Sequence, residues 1–344
     1  MAFFQLQRSV RKGLKWSLFI FDYLVCQVKT SHTSSKSSYG LMRFLYGKTQ
    51  GKSQEWLSRL PLILFPTTKD KPCRHVVELR EVGYSRIDFS NDPRALKIIS
   101  ELQDDLRNYS VYEVRPSNDA PSQGIYESFD ACVDSLNRLA PRINHYRHDV
   151  CSCASAWKLL EYSDVASIAE QYLSCKPLLT SLDCWYVAPI SPKVKSDHFY
   201  SAAAQTFHYD MDWIKFVKFF FNLSSATQQN GAFEFIPGTH RHKQSTHYCD
   251  GRFEDLDPAK NSIVKALGRP GTCFVADTSG LHRDGRAQNG FRQVLQIEFA
   301  VSSFGAKFQY DDINIACSQS IPWHSLSPLY SKESRLMSLF RGQA

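Results

Sequence analysis

Several patterns that mark common classes of protein are missing from this 344-residue chain. It has no Cys-x-x-Cys pair, and its ten cysteines are scattered, so neither a zinc ribbon nor a disulfide framework is indicated. The chain lacks a run of about 20 apolar residues, which argues against a membrane-spanning helix. His-Glu-x-x-His is also absent, so the most familiar zinc hydrolase motif is not there. Scattered cysteines without a convincing export signal are typical of reduced thiols, and we expect a cytoplasmic protein.

The composition is that of a globular protein. Hydrophobic residues make up 43% and charged residues 22%, which excludes collagen-like, coiled-coil and wholly disordered chains. Aromatic residues reach 13%, with 23 Phe and 16 Tyr. A chain of this length and composition is expected to bury a sizeable core.

The positive charge is concentrated at the start of the chain. Residues 1–60 contain ten Lys or Arg and two acidic residues, whereas the remaining residues contain 31 basic and 32 acidic ones. We predict that residues 1–60 form a basic, helical N-terminal extension, and that 61–344 form one domain. Within the extension, residues 16–28 are mostly apolar and interrupted by Asp22, so this segment is a candidate for peripheral contact with a membrane surface. The remainder is slightly acidic and has no zinc finger or RNA-binding aromatic motif, so no nucleic-acid partner is expected.

Helical patterns precede strand patterns along the chain. A helix is predicted to begin at Asn91-Asp92-Pro93, where a capping residue is followed by Pro in the first turn. Two more amphipathic helices are predicted, at 126–136 and 165–172. From about residue 178, short apolar and aromatic runs alternate with turn residues, which indicates strands. These strands are predicted at 182–188, 203–208, 215–223, 232–236, 272–276, 293–301 and 306–310. The order predicts a mainly β fold with flanking helices, and the polar segment 240–270 is predicted to be a lid-like loop.

One short segment carries metal-ligand chemistry. Because residues two apart in a strand project to the same side, His208 and Asp210 can offer an imidazole and a carboxylate to one metal ion. His282, shortly after a predicted strand, is the favoured third ligand, and other histidines at 240, 242 and 247 compete with it. Two His and one carboxylate form the facial triad of non-haem Fe(II) oxygenases, which leaves positions open for a chelating co-substrate and O₂.

A cation is available to bind a co-substrate carboxylate. Arg292 lies ten residues after His282, and a guanidinium binds carboxylates in bidentate fashion; Arg283 and Arg286 are alternatives. Within the predicted strand 215–223, one face carries the apolar residues Val217, Phe219, Phe221 and Leu223. The other face, which includes Lys218 and Asn222, mixes polar and aromatic residues. Such a mixed face is typical of the wall of a ligand pocket.

The segment Phe207–Arg241 resembles the core of the phytanoyl-CoA dioxygenase family of Fe(II)/2-oxoglutarate oxygenases. The resemblance includes His-x-Asp, a strand, an Asn-Gly turn, Pro237-Gly238-Thr239-His240, and then His282 and Arg292. It implies a double-stranded β-helix (a cupin-like jelly roll) with its core at about 178–310 and a structural role for His240. It also implies iron(II), 2-oxoglutarate and O₂, and the hydroxylation or other oxidation of an unactivated C–H bond in a small-molecule or acyl substrate.

In this interpretation His208, Asp210 and His282 are the catalytic metal ligands and Arg292 binds 2-oxoglutarate. Strand facing adds further candidate co-substrate contacts: Tyr209, Lys218 and Asn222. The presence of the triad carboxylate argues against a halogenase.

One residue departs from the family pattern, because Asp284 stands where family members often have a small hydroxyl residue. Its charge opposes a co-substrate carboxylate unless Arg283 or Arg286 neutralises it. Two alternative functions stay open: a non-catalytic β-sandwich binding protein that retains the metal-site pattern, and a zinc-dependent hydrolase. The oligomeric state is left open.

Overall fold

The structure is a computed structural model. It describes residues 71–115, 122–134, 142–145, 150, 153–163, 165–173, 177–189, 204–210, 215–241, 252–253 and 262–300. The predicted extension 1–60 and the predicted strand 306–310 lie outside the described residues, as do His242 and His247. No helix in the described ranges is long and apolar enough to cross a membrane.

The described helices all come from the N-terminal half of the chain. They are α1 (Arg74–Val82), α2 (Pro93–Arg107), α3 (Phe129–Asp134), α4 (Ala154–Tyr162) and α5 (Val165–Leu173). Helix α2 begins where the sequence predicts, because the Asp92 carboxylate accepts hydrogen bonds from the backbone N–H groups of Arg94 and Ala95. Its predicted apolar face is buried, and α5 coincides with the third predicted helix.

The second predicted helix differs from the observed structure. Tyr126 is the last residue of a strand, where it pairs with Val111, and within the described part of 126–136 the helix comprises Phe129–Asp134. The Ser128 hydroxyl accepts a hydrogen bond from the backbone N–H of Ala131, so this side chain caps the helix and marks its start. Helices α1 and α4 were not predicted.

Eight antiparallel strands form the larger sheet. They are β1 (Tyr84–Asp88), β2 (Val111–Arg115), β3 (Ser122–Tyr126), β4 (Arg142–His145), β5 (Leu178–Val187), β7 (Phe216–Asn222), β11 (Thr272–Ala276) and β13 (Arg292–Ala300). Their order across the sheet is β1-β11-β7-β13-β5-β4-β2-β3. Four of these strands precede residue 178, so the sheet begins well upstream of the segment in which the sequence predicts strands.

Five short strands form a second, smaller sheet. They are β6 (Phe207–His208), β8 (Glu234–Phe235), β9 (Arg252–Phe253), β10 (Val264–Lys265) and β12 (His282–Arg283), in the order β10-β8-β12-β6-β9. Strands β9 and β10 lie within 240–270, so the described part of the predicted lid contributes to this sheet.

The two faces of the larger sheet have different neighbours. On β7 the residues Val217, Phe219 and Phe221 belong to one apolar core with residues of α1, α2, α4 and α5. Phe220, which points the other way, packs with Phe233, near β8 of the smaller sheet. The predicted division of β7 into an apolar face and a mixed face is therefore confirmed. The mixed face points into the space between the sheets.

Candidate metal centre

Two histidines meet because their strands are paired in register. His208 on β6 lies directly opposite His282 on β12, and the centroids of their rings are 4.3 Å apart. The Nδ1 atoms lie 2.8 Å from the carbonyl oxygen of Thr206 and 2.9 Å from that of Gly280, respectively. Because a carbonyl oxygen only accepts, Nδ1 of each ring donates the hydrogen bond, and Nε2 is the ring nitrogen that faces the cluster. A neutral imidazole held in this way is suited to bind a metal ion.

Asp210 completes the cluster. Its backbone N–H donates to the carbonyl of Thr278 at 2.9 Å, which fixes the chain just after β6. Its carboxylate oxygens lie 3.6 Å from Nε2 of His208 and 3.2 Å from Nε2 of His282. The ligand atoms of the three residues all lie within 4.8 Å of one another. Two imidazole nitrogens and one carboxylate, converging on one point, fit a divalent transition metal.

A buried lysine supports the carboxylate from the opposite sheet. Lys218 on β7, 3% exposed, places Nζ 2.7 Å from Oδ2 of Asp210 and 3.1 Å from Oε2 of Glu298. Glu298 lies opposite Lys218 on β13, and its other oxygen accepts a hydrogen bond from the Thr180 hydroxyl at 2.7 Å. Lys218 was predicted as a co-substrate contact, but in the structure it contacts a triad residue. Glu298 was not predicted as a site residue, because no local pattern links it to the His-x-Asp segment.

The charge of Asp210 is favoured by its neighbours. Burial raises the pKa of its carboxyl, but Lys218, His282 and His208 lower that pKa by more. The net result is a pKa well below the usual value for Asp. The carboxylate is therefore ionised at neutral pH, as a metal ligand must be.

Arg292 is buried and already paired. Its Nη2 lies 2.7 Å from Oδ1 of Asp284, and its Nε donates to the carbonyl of Gly231 at 2.9 Å. The sequence suggested Arg283 or Arg286 as the partner of Asp284, and the structure shows Arg292 instead. Burial lowers the pKa of the guanidinium and Asp284 opposes that effect. Arg283 is occupied elsewhere, because it pairs with Glu234 at 2.6 Å.

Unpartnered polar atoms lie on the same face as Arg292. Trp185 and Asn222 flank Val294, two residues along β13 from Arg292. The indole N–H of Trp185 and the amide nitrogen of Asn222 are buried, and neither has a hydrogen-bond partner within the described ranges. The hydroxyl oxygen of Thr272, on β11, is also buried and has no hydrogen-bond partner within these ranges. Because buried polar groups are normally paired, these groups fit a polar ligand such as 2-oxoglutarate near Arg292.

Two other predicted residues lie apart from the cluster. Tyr209 points to the opposite face from His208 and packs with Phe207, Ile236 and Leu281. His240 Nε2 lies 3.4 Å from the carbonyl of Arg80, at the end of α1, and it is not among the residues whose ligand atoms converge.

Two antiparallel sheets that enclose a His-x-Asp…His cluster define the non-haem metal-dependent oxygenase class. The family model for phytanoyl-CoA dioxygenase (PhyH) matches residues 100–293, more than half of the chain. The chain belongs to this family, and the match includes the triad and Arg292. The predicted family and jelly-roll class are therefore confirmed. So is the oxidoreductase class, with iron and 2-oxoglutarate as the cofactors of the family.

Several solved structures are similar to this chain over about two thirds of its length. The epimerase SnoN, in complex with Fe³⁺, alpha-ketoglutarate and nogalamycin RO, is 14% identical, with a TM-score of 0.47 over 66% of this chain and 82% of that one. EvdO2 from Micromonospora carbonacea var. aurantiaca, complexed with 2-oxoglutarate, is 16% identical, with a TM-score of 0.42 over 68% and 92%. EctD from S. alaskensis, with 2-oxoglutarate and 5-hydroxyectoine, is 14% identical, with a TM-score of 0.45 over 72% and 83%. No curated protein is similar enough in sequence to match.

Proposed function

We propose that the protein is an iron(II)- and 2-oxoglutarate-dependent dioxygenase that oxidises a C–H bond of a small-molecule or acyl substrate. The observation that carries the proposal is the convergence of two Nε2 atoms and one carboxylate between the sheets. Family membership supports the reaction class, and the substrate is assigned only as a chemical class.

In this proposal His208, Asp210 and His282 would hold the iron. When bound, iron together with 2-oxoglutarate and O₂ supplies the oxidant for C–H cleavage. The protein itself orients these ligands. Two backbone carbonyls hold the imidazole rings through Nδ1, and Lys218 holds the Asp210 carboxylate. Phe233 stacks against the His282 ring, with 5.5 Å between ring centroids, and helps to exclude water from the ligands.

The co-substrate is proposed to bind beside Arg292. That guanidinium carries the positive charge, and Trp185 and Asn222 supply neutral donors on the same face. Lys218 and Tyr209 leave the set of proposed co-substrate contacts, because the first contacts Asp210 and the second packs on the opposite face.

The decisive experiment is anaerobic addition of Fe(II) and 2-oxoglutarate to the full chain, followed by visible absorption. We expect the weak charge-transfer band of a metal-chelated 2-oxo acid in the wild type and its loss in His208→Ala. His75→Ala is the matched control: His75 contacts Ser85, at the start of the sheet, and the band should persist.

The outcomes separate the alternative functions. No band in folded, iron-loaded wild-type protein would contradict the proposal and favour a non-catalytic binding protein. Tight binding of Zn²⁺ with hydrolytic activity and no band would favour the hydrolase. A band that survives in His208→Ala would remove His208 from the metal site.

A further inference from the structure

Arg292 is neutralised before any co-substrate binds. Its side chain is 1% exposed, and that of its partner Asp284 is 5% exposed. A contact of 2.7 Å between charged groups at this depth is a strong, charge-assisted hydrogen bond. Asp284 is itself held in place, because its backbone N–H donates to the carbonyl of Ala204 at 2.9 Å. The pair is therefore part of the fold rather than a loose surface contact.

Some donors of Arg292 remain available. A guanidinium has five N–H groups. The bonds to Asp284 and Gly231 use two of them, one on Nη2 and one on Nε. Within the described part of the chain Arg292 has no further hydrogen-bond partner, so the two N–H groups of Nη1 and the second of Nη2 are left for a ligand carboxylate. A co-substrate can therefore contact Arg292 while Asp284 stays bound, but the two carboxylates then share one cation.

The charge around this point decides how strongly a dianion is attracted. Arg142 on β4 lies on the same face as Arg292, separated from it by Val187 on β5, and it stacks over the Trp185 ring at 4.0 Å. The two arginines alone would carry two positive charges. Asp284 offsets the positive charge of Arg292. The pairing of Asp284 with Arg292 therefore weakens the attraction of this face for a ligand that has a second carboxylate more than for a ligand whose single carboxylate binds the metal.

We propose that Asp284 is a specificity-determining residue of the co-substrate site: by pairing with Arg292 it weakens binding of the distal carboxylate and narrows the preference for dicarboxylic over monocarboxylic 2-oxo acids. This inference rests on the proposed function. It assigns to Asp284 a role in affinity that is separate from metal binding, because its contact is with Arg292 and not with the cluster.

Calorimetric titration of the Mn²⁺-loaded full chain tests the inference without turnover. Two ligands are compared, 2-oxoglutarate and 2-oxovalerate, which lacks the distal carboxylate. In Asp284→Asn we expect the Kd for 2-oxoglutarate to fall by about tenfold, because a charged contact to Arg292 strengthens, whereas the Kd for 2-oxovalerate changes by less than about twofold. Glu234→Gln is the matched control, since it removes a carboxylate paired with Arg283 and should alter neither Kd.

Each outcome has a clear meaning. Weaker binding of 2-oxoglutarate in Asp284→Asn would overturn the inference and make Asp284 an orienting partner of Arg292. Equal changes for both ligands would also overturn it. Asp284→Ser repeats the test if the Asn variant is unfolded. The wild-type protein alone also tests the inference. Kd values for 2-oxoglutarate and 2-oxovalerate within about tenfold of each other support it, and a preference for 2-oxoglutarate above about a thousandfold overturns it. Binding of Mn²⁺ but of neither 2-oxo acid would instead contradict the proposed function.

Discussion

Replacing Lys218 by Met removes the central charge of the buried cluster while keeping a side chain of similar length. The ammonium group contacts Asp210 at 2.7 Å and Glu298 at 3.1 Å, and its side chain is only 4% exposed. In the variant, two carboxylates face each other across the site without a cation between them. We expect a large loss of stability in the metal-free protein.

The magnitude follows from opposing terms. With an effective dielectric constant of about 20, the two contacts are worth about 6 and 5 kcal/mol of Coulomb attraction. Desolvation of the ammonium group offsets several kcal/mol of this gain. Removing one partner of a buried ion pair usually costs about 3–5 kcal/mol, because the other charge is left uncompensated. We therefore expect the free energy of unfolding of Lys218→Met to fall by about 3–5 kcal/mol.

Urea unfolding of the metal-free full chain measures this change. Lys265→Met is the matched control, because Lys265 pairs with Glu234 at 3.5 Å and is 38% exposed, so its loss should cost less than about 1 kcal/mol. The double variant Lys218→Met/Glu298→Gln should recover part of the lost stability, since one of the two uncompensated charges is also removed.

A divalent metal supplies a second reading. Because the cation replaces the missing positive charge at Asp210, saturating Zn²⁺ should stabilise Lys218→Met more than the wild type. At 100 times the Kd, binding alone contributes about 2.7 kcal/mol. A free energy of unfolding of Lys218→Met within about 0.5 kcal/mol of the wild-type value, or an equally large loss in Lys265→Met, would contradict this prediction.

Three further predictions follow from the same structure. Folding lowers the pKa of Asp210, so the ionised carboxylate stabilises the fold above the unfolded pKa of about 3.9, and this contribution is lost as the pH falls through the folded pKa. In urea unfolding between pH 7 and pH 3, the free energy of unfolding should therefore fall by less in Asp210→Asn than in the wild type. Gly231→Ala, at φ +80° with a backbone oxygen 2.5 Å from the added Cβ, should lower Tm and weaken 2-oxoglutarate binding, because the Gly231 carbonyl holds Arg292. Gly290→Ala (φ +72°, no atom within 4 Å of the added Cβ) adds backbone strain without a clash, so it should lower Tm by less and leave 2-oxoglutarate binding unchanged. Deletion of residues 1–60 should abolish sedimentation with anionic phospholipid vesicles, and unchanged sedimentation would contradict the predicted membrane contact.

Local sequence pattern predicts part of the metal cluster. His208 and Asp210 could be paired from sequence because a strand places residues two apart on one side. Other histidines competed with His282 for the role of third ligand, because local sequence does not indicate which distant segments lie next to each other in the fold. The register of β6 against β12 makes that choice, since it sets the two imidazoles directly opposite each other.

The N-terminal strands show a different limit. Strands β1 to β4 are four or five residues long and contain many polar residues, so they carry little alternation of their own. They are strands because an edge of the larger sheet is available to each: β1 pairs with β11, and β4 pairs with β5. Their conformation is thus decided by partners far away in the sequence.

Local sequence is sufficient to predict the helix that Asp92 caps, the two faces of β7 and the His-x-Asp pair, because each depends on neighbouring residues and their periodicity. Which cation meets which anion depends instead on the packing of distant segments. Asp284 pairs with Arg292 rather than with Arg283, its neighbour in sequence. Lys218 lies between Asp210 and Glu298 and contacts both carboxylates. Charges at these positions are buried by packing between two sheets, and a buried charge takes the partner that the packing places beside it.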